Sequence, residues 1–208
     1  MKAVILAARQ IKNGFDRSTI TVNGETLVNR SLRLLKQNGI ADLIVSVDKI
    51  VEGQYGDDVQ LIANPLTGND MGCIYGIKEP GVAIYLFGDV YFSENAITTI
   101  VNGTTNYYGK LMVGGGGEML AFKSSDEFWK NFDLCWEVYK QGKIPRLWSW
   151  DLRAYQVGSL NLQKPPATAQ SVVPKQSDPQ WTSIDDETVD FDNEEQFIKW
   201  RNKWQLKL

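Results

Sequence analysis

A chain of 208 residues, 43% of them apolar, holds enough for one buried core, and its 22 basic and 25 acidic side chains leave a formal net charge of −3. That balance excludes a duplex nucleic-acid binder drawing its affinity from neutralised phosphates, while a local pocket can still be cationic. The complete lack of histidine excludes Ser-His-Asp and Cys-His triads and any His-liganded metal, leaving acid-base or metal chemistry to Asp, Glu, Lys, Arg and Tyr.

Residues 2–8 form a short apolar run with β-branched centres, long enough for a buried strand and too short to span a membrane. With only Lys2 before it and charge after it, the run is not an export signal. A cytoplasmic location without a membrane partner is the expectation. A polar segment with Arg9, Lys12, Asn13, Gly14 and Arg17 comes next, which sets cationic side chains and backbone amides at the carboxyl end of the first strand. Open α/β sheets bind their ligands there. Residues 26–38 carry Leu27, Val28, Leu32, Leu34 and Leu35 at helical spacing and stop at Asn38-Gly39, a good helix terminator. Leu43, Val45 and Val47 alternate, and residues 59–63 are again apolar. Strands alternating with helices predict a parallel, layered α/β sheet in a single domain.

Asn64-Pro65 closes a strand, and Asn69 or Asp70 is placed to cap a helix predicted to run to Lys78. Residues 82–87 are the most apolar run and stop at Gly88-Asp89-Val90, before a helix capped by Ser93, so Asp89 stands at a strand end. Strand-like residues 107–113 and 119–123 are joined by four glycines at 114–117, a hairpin turn or mobile loop. Across 126–141, Phe128, Trp129, Phe132, Cys135, Trp136 and Tyr139 make an aromatic stripe, which is a core face or else a partner surface permitting a homodimer. Residues 164–180 are predicted as a surface loop, 188–192 as a last strand and 193–204 as an amphipathic helix. Cys73 and Cys135 are far apart with no CxxC, which predicts buried free thiols rather than a disulfide or zinc cluster.

Taken in order, six pieces of the sequence carry a likeness: residues 2–8, Val22-Asn23-Gly24-Glu25-Thr26-Leu27, residues 39–45, Asn64-Pro65, Leu86-Phe87-Gly88-Asp89-Val90 and residues 190–195. They resemble the nucleotidyltransferases that join a nucleoside triphosphate to a sugar phosphate or alcohol phosphate. The fold of that family is a Rossmann-like three-layer α/β sandwich with a mostly parallel sheet, shared with type-A glycosyltransferases. Its first loop wraps the triphosphate with two alanines, then Gly-x-Gly-x-Arg, then a Pro-Lys pair. Here Ala7 and Ala8 are kept, Arg9 and Ile11 stand at the glycines, Asn13 at the arginine, and Asp16 and Arg17 at the Pro-Lys pair. Glycines let backbone amides reach phosphate oxygens, and side chains crowd that approach. Either Arg9 and Lys12 supply charge where the backbone no longer does, or no triphosphate binds.

The resemblance implies a nucleotide site at Leu6, Ala7, Ala8, Arg9 and Lys12, with Asn64, Asn69 and Gly72 toward the base, although a capped turn explains the last three equally. It implies that Asp89 and Asp192, with Asp190 as fallback, hold Mg2+ or Mn2+, against a turn or helix-cap role for each. Arg17 joins Asp89 as a catalytic candidate, stabilising charge on the phosphates. Trp148, Trp150 and Asp151 fall at acceptor-facing positions, or pack as core and rim. The implied reaction joins a nucleoside triphosphate to a phosphorylated small-molecule acceptor and releases pyrophosphate. The alternatives are a type-A glycosyltransferase using a nucleotide sugar, which needs no triphosphate loop, and a catalytically silent nucleotide-binding or regulatory relative.

Overall fold

The opening apolar run forms β1 (Lys2–Leu6), four of whose five residues are buried. The computed structural model describes residues 1–8, 11–12, 15–50, 53–64, 72–112, 116–144, 147, 149–156, 158 and 178–204. Two short ribbons follow β1. In the first, β2 (Ile11–Lys12) pairs with β3 (Phe15–Asp16), leading into a single 3-10 turn at Arg17–Thr19. In the second, β4 (Thr21–Val22) pairs with β5 (Glu25–Thr26) through Asn23 and Gly24, whose φ angles of 54° and 78° are those an Asn-Gly hairpin turn requires.

The Thr26 hydroxyl then accepts the Asn29 amide and starts α1 (Leu27–Gln37), which ends at Asn38 with Gly39 at φ 80°. After it come β6 (Asp42–Val47), β7 (Gln60–Ala63), the four-residue α2 (Gly72–Tyr75), β8 (Ala83–Phe87) and β9 (Val90–Tyr91). Helix α3 (Glu94–Asn102) is capped by Ser93, and β10 (Tyr107–Met112), β11 (Gly116–Lys123) and α4 (Asp126–Lys140), capped by Ser125, complete the middle of the chain. The last elements are α5 (Ser149–Gln156), β12 (Trp181–Ser183), β13 (Val189–Asp190) and α6 (Glu194–Trp204).

Seven strands form one sheet in the order β12-β10-β11-β8-β1-β6-β7. Every pairing is parallel except the two made by β11, so the mostly parallel sheet expected from the sequence is what forms. Period-two alternation sorts the strands' side chains onto two faces. Ala3, Ile5, Leu43, Val45, Ile84 and Leu86 meet α1 and α3 on one side. Val4, Leu6, Ile44 and Tyr85 meet α2, α4 and α5 on the other, which gives the three layers. A third, smaller core joins Ile20, Val22, Leu27 and Tyr91 to Phe191, Phe197 and Trp200, holding α6 against the carboxyl edge.

Several readings change against this frame. The aromatic stripe is core: Phe128, Trp129, Phe132, Cys135 and Trp136 are all buried, each contributing about 1.5–3 kcal/mol if an ordinary large apolar side chain. Helix α2 ends at Tyr75 rather than Lys78, and its expected caps, Asn69 and Asp70, lie outside the described residues. Most of 164–180 also lies outside them; its end, Asp178–Gln180, turns into β12, an edge strand that the Pro- and Ser-rich pattern concealed. Helix α5 was not anticipated either. Among the described residues, no helix is long and apolar enough to cross a membrane.

The ends of β1 and β8 approach closely because residue 88 has no side chain. The Gly88 amide donates to the Leu6 carbonyl at 3.0 Å, and a Cβ there would stand 2.9 Å from both Ala7 Cα and Leu6 O. Backbone on both sides leaves no flexible group to yield. Gly88→Ala is expected to lower stability by about 1–3 kcal/mol through overpacking. Urea unfolding checks this, and an unchanged midpoint would show that the strand ends part without cost.

Candidate active site

Strand β1 delivers Leu6, Ala7 and Ala8 to the carboxyl edge of the sheet, where the Ala7 amide donates to Ser46 O at 2.9 Å. All three side chains are buried, so what they can offer a ligand is mainly backbone. The 3-10 turn then brings Arg17 back across this edge. The residue is 8% exposed, and its guanidinium forms an ion pair with Asp89, the residue following Gly88 at the end of β8. The two catalytic candidates of the sequence therefore meet each other.

One further ladder completes the edge. Strand β13 pairs antiparallel with β9, Asp190 opposite Val90 and Val189 opposite Tyr91, and the Phe191 amide reaches Asp89 O at 3.4 Å. Directly opposed residues in such a ladder lie about 4.5–5.5 Å apart at Cα. Asp190 thus arrives one position from Asp89, although a hundred residues separate them in the chain. Its Oδ1 is buried without a hydrogen-bond partner. Burial, then the charges of Asp89, Glu118 and Asp192, push the Asp190 carboxyl well above the ordinary range, with Arg17 opposing.

Glu118, which no sequence argument singled out, belongs to the same cluster. It lies near the start of β11, opposite Lys110 of β10, on the strand that packs against β13. Burial raises its carboxyl to about 7; Lys110 offsets this, and Asp192 and Asp89 add to it. A frame on the far side fixes β13. Asp186 accepts Ser93 Oγ at 2.5 Å and the Thr188 amide at 2.9 Å, while its carbonyl takes Lys110 Nζ at 2.6 Å. Ser93 N–H donates to Thr188 Oγ1 at 3.0 Å, and Trp200 Nε1 donates to Glu187 O at 2.7 Å.

The remaining candidates divide. Asp192 is half-buried beside this cluster, and the cap of α6 is its neighbour: Asn193 Oδ1 accepts the Gln196 amide at 3.0 Å while Gln196 Oε1 takes the Asp192 amide at 2.7 Å. Asn64, just past the end of β7, is 2% exposed and donates to Ser46 Oγ at 3.3 Å. Asp151 is likewise 2% exposed, within α5, where its charge acts on the Cys135 thiol of α4. Burial at that depth is the core packing given above as the alternative to an acceptor-facing role. Arg9, Asn69 and Trp148 lie outside the described residues, as do the side chains of Lys12 and Trp150, while Gly72 is described only as the first residue of α2.

The donor set fits a hard divalent ion. Asp89 and Asp190 supply only oxygen, and the orphaned Asp190 Oδ1 is a buried acceptor whose desolvation an ion would relieve. Among the described residues no three Asp, Glu, Cys or His side chains are gathered to hold a metal. An ion of the magnesium type characteristically takes one or two carboxylates and completes its shell with water and substrate phosphates.

Solved structures of nucleotidyltransferases align with this fold. The CTP:phosphocholine cytidylyltransferase of Streptococcus pneumoniae aligns over 98% of both chains with a TM-score of 0.64 and 15% identity. A Bacillus anthracis protein described as a glucose-1-phosphate thymidylyltransferase aligns over 98% of this chain and 94% of its own, at TM-score 0.62 and 11% identity. The 2-C-methyl-D-erythritol 4-phosphate cytidylyltransferase of Thermus thermophilus covers 86% and 93%, at TM-score 0.52 and 12% identity. No protein-family profile and no curated protein matches the sequence. At such identities the likeness establishes the fold.

The crowded acids set a pH dependence. Asp190 and Glu118 bind protons more tightly folded than unfolded, so between about pH 4 and pH 8 the native state holds more protons and stability falls as pH rises. With chelator present, the melting temperature is expected to drop from pH 6 to pH 8.5, and Asp190→Asn to flatten the profile. Identical profiles for the two proteins would mean that the carboxylates do not repel.

Proposed function

We propose that the chain is a nucleotidyltransferase joining a nucleoside triphosphate to a phosphorylated small molecule, and that it works in the cytoplasm. The observation that carries the reading is the convergence of Arg17, from the segment after β1, with Asp89 and Asp190 at the carboxyl edge of this fold. An acceptor phosphate oxygen attacks the α-phosphorus and a new P–O bond forms. The bond from the α-phosphorus to the oxygen bridging the β-phosphate breaks, and pyrophosphate leaves with the electron pair.

Asp89 and Asp190 would hold Mg2+ or Mn2+, with Asp192 beside them. Such an ion neutralises charge on the triphosphate and the departing oxygens. Arg17 offers a second, fixed positive charge whose planar guanidinium matches phosphate oxygens in two parallel hydrogen bonds. With Arg9 and Ile11 at the glycine positions, phosphate binding passes from backbone amides to side-chain cations. The acceptor class follows from the similar structures, whose substrates by name are phosphocholine, glucose 1-phosphate and 2-C-methyl-D-erythritol 4-phosphate. All three carry one phosphate on an alcohol or sugar. The altered first loop also favours a second reading, a glycosyltransferase whose nucleotide-sugar donor brings no triphosphate.

The test is pyrophosphate release from a panel of five triphosphates, each offered with phosphocholine, hexose 1-phosphates and polyol phosphates. Release is expected only with a divalent ion and an acceptor, falling by about 100-fold or more in Asp89→Asn and in Asp190→Asn. Turnover of a nucleotide sugar with no release from any triphosphate would select the glycosyltransferase instead.

A further inference from the structure

We infer that Arg17 is the resident counter-ion of Asp89, and that a divalent ion replaces it only when a polyphosphate arrives to receive the guanidinium. The inference rests on the nucleotidyltransferase reading and adds to it an order of events. Both partners are shielded, their side chains 10% and 17% exposed, so their attraction is far less screened than at an open surface. An ion approaching alone meets a carboxylate already neutralised, and taking it strands a buried guanidinium beside a dication. Both consequences oppose binding.

A polyphosphate removes both obstacles. Its oxygens give Arg17 a new anionic partner and supply the ligands that two carboxylates leave missing from the ion's shell. Ion and polyphosphate therefore bind with positive coupling, and linkage makes the coupling equal in both directions. Asp190 also feels the Arg17 charge, so the swap acts on both ion-holding carboxylates. Without substrate Asp89 stays paired with Arg17 and the site takes up little metal.

Mn2+ binding followed by electron paramagnetic resonance, with and without inorganic tripolyphosphate, tests this apart from any question of base or acceptor. Wild-type protein is expected to bind Mn2+ at least about fivefold more tightly with tripolyphosphate than without it. Arg17→Gln should bind Mn2+ more tightly than wild type when no polyphosphate is present, and should lose most of the coupling. Arg17→Lys, which keeps the charge, should behave as wild type. This reversal of sign is not produced by a general loosening of the fold, which weakens metal binding in both conditions. Equal Mn2+ affinity with and without tripolyphosphate in wild type overturns the inference even if Arg17→Gln fails to fold. So does a folded Arg17→Gln that binds Mn2+ alone no better than wild type. If neither protein binds Mn2+ under any condition, the nucleotidyltransferase reading itself fails and this inference fails with it.

Discussion

A ladder of two residues on each side, β9 against β13, is the contact on which the site depends. It brings the end of the chain back to the end of β8 and sets Asp190 opposite Val90. A ribbon so short is not stable in water by itself. Here it is held from two directions. Beneath it, Tyr91, Phe191, Phe197 and Trp200 bury their rings against one another, with Phe191 to Trp200 centroids 5.2 Å apart. Beside it, Asp186 ties the strand's approach to the start of α3 and to Lys110 of β10. The role of α6 follows from this: it is less a third layer than a clamp that keeps the last strand in register.

Once the ladder forms, the electrostatics are unfavourable by construction. The charges of Asp89 and Asp192 act on both Asp190 and Glu118, with Arg17 and Lys110 as the nearby cations. A fold selected only for stability gains nothing from an orphaned carboxylate oxygen at such a place. Perturbed acids of this kind gather where charge is to be received. The paired Arg17 and Asp89 show how the cost is limited in the absence of ligand, since each neutralises the other in a shielded setting.

The sequence made the layers legible because they need little more than period. Alternation in β1, β6 and β8 and the leucine spacing of α1 place almost every core residue on its observed face, and Thr26, Ser93 and Gly39 mark helix ends by local hydrogen bonding that requires no tertiary knowledge. Asp89 was visible for the same reason, as a carboxylate where an apolar run stops. Glu118 was not. It follows four glycines and precedes an apolar strand, and only the register that sets it opposite Lys110, together with the packing of β11 against β13, turns it toward the acids. β12 was hidden because Trp181–Ser183 is too short for any period, and its pairing with Tyr107–Gly109 is set by the sheet rather than by its own sequence. Asp151 allowed two readings: an acid beside tryptophans resembles a binding site in sequence as much as a packed interior position, and only the packing of α5 on α4 shows it to be buried.

The altered first loop and the retained fold are compatible because they answer to different constraints. The sheet, built on alternation, keeps its shape alongside a Streptococcus pneumoniae structure at 15% identity, since many apolar side chains of similar volume fill the same layers. A glycine cradle for phosphate tolerates no such exchange, because any Cβ at those positions occupies the space an oxygen needs. With Arg9 and Ile11 where such a cradle has glycines, an anion at this edge would have to be held by side chains instead. A fixed guanidinium is the substitute that the geometry provides: Arg17 emerges from the 3-10 turn beside the same strand ends that a cradle would face, and its pairing with Asp89 shows that it reaches the carboxyl edge. Backbone amides are always available, whereas a side-chain cation must be neutralised when no ligand is present. The Arg17 and Asp89 pair is thus what a side-chain cation at this edge requires of the strand beside it.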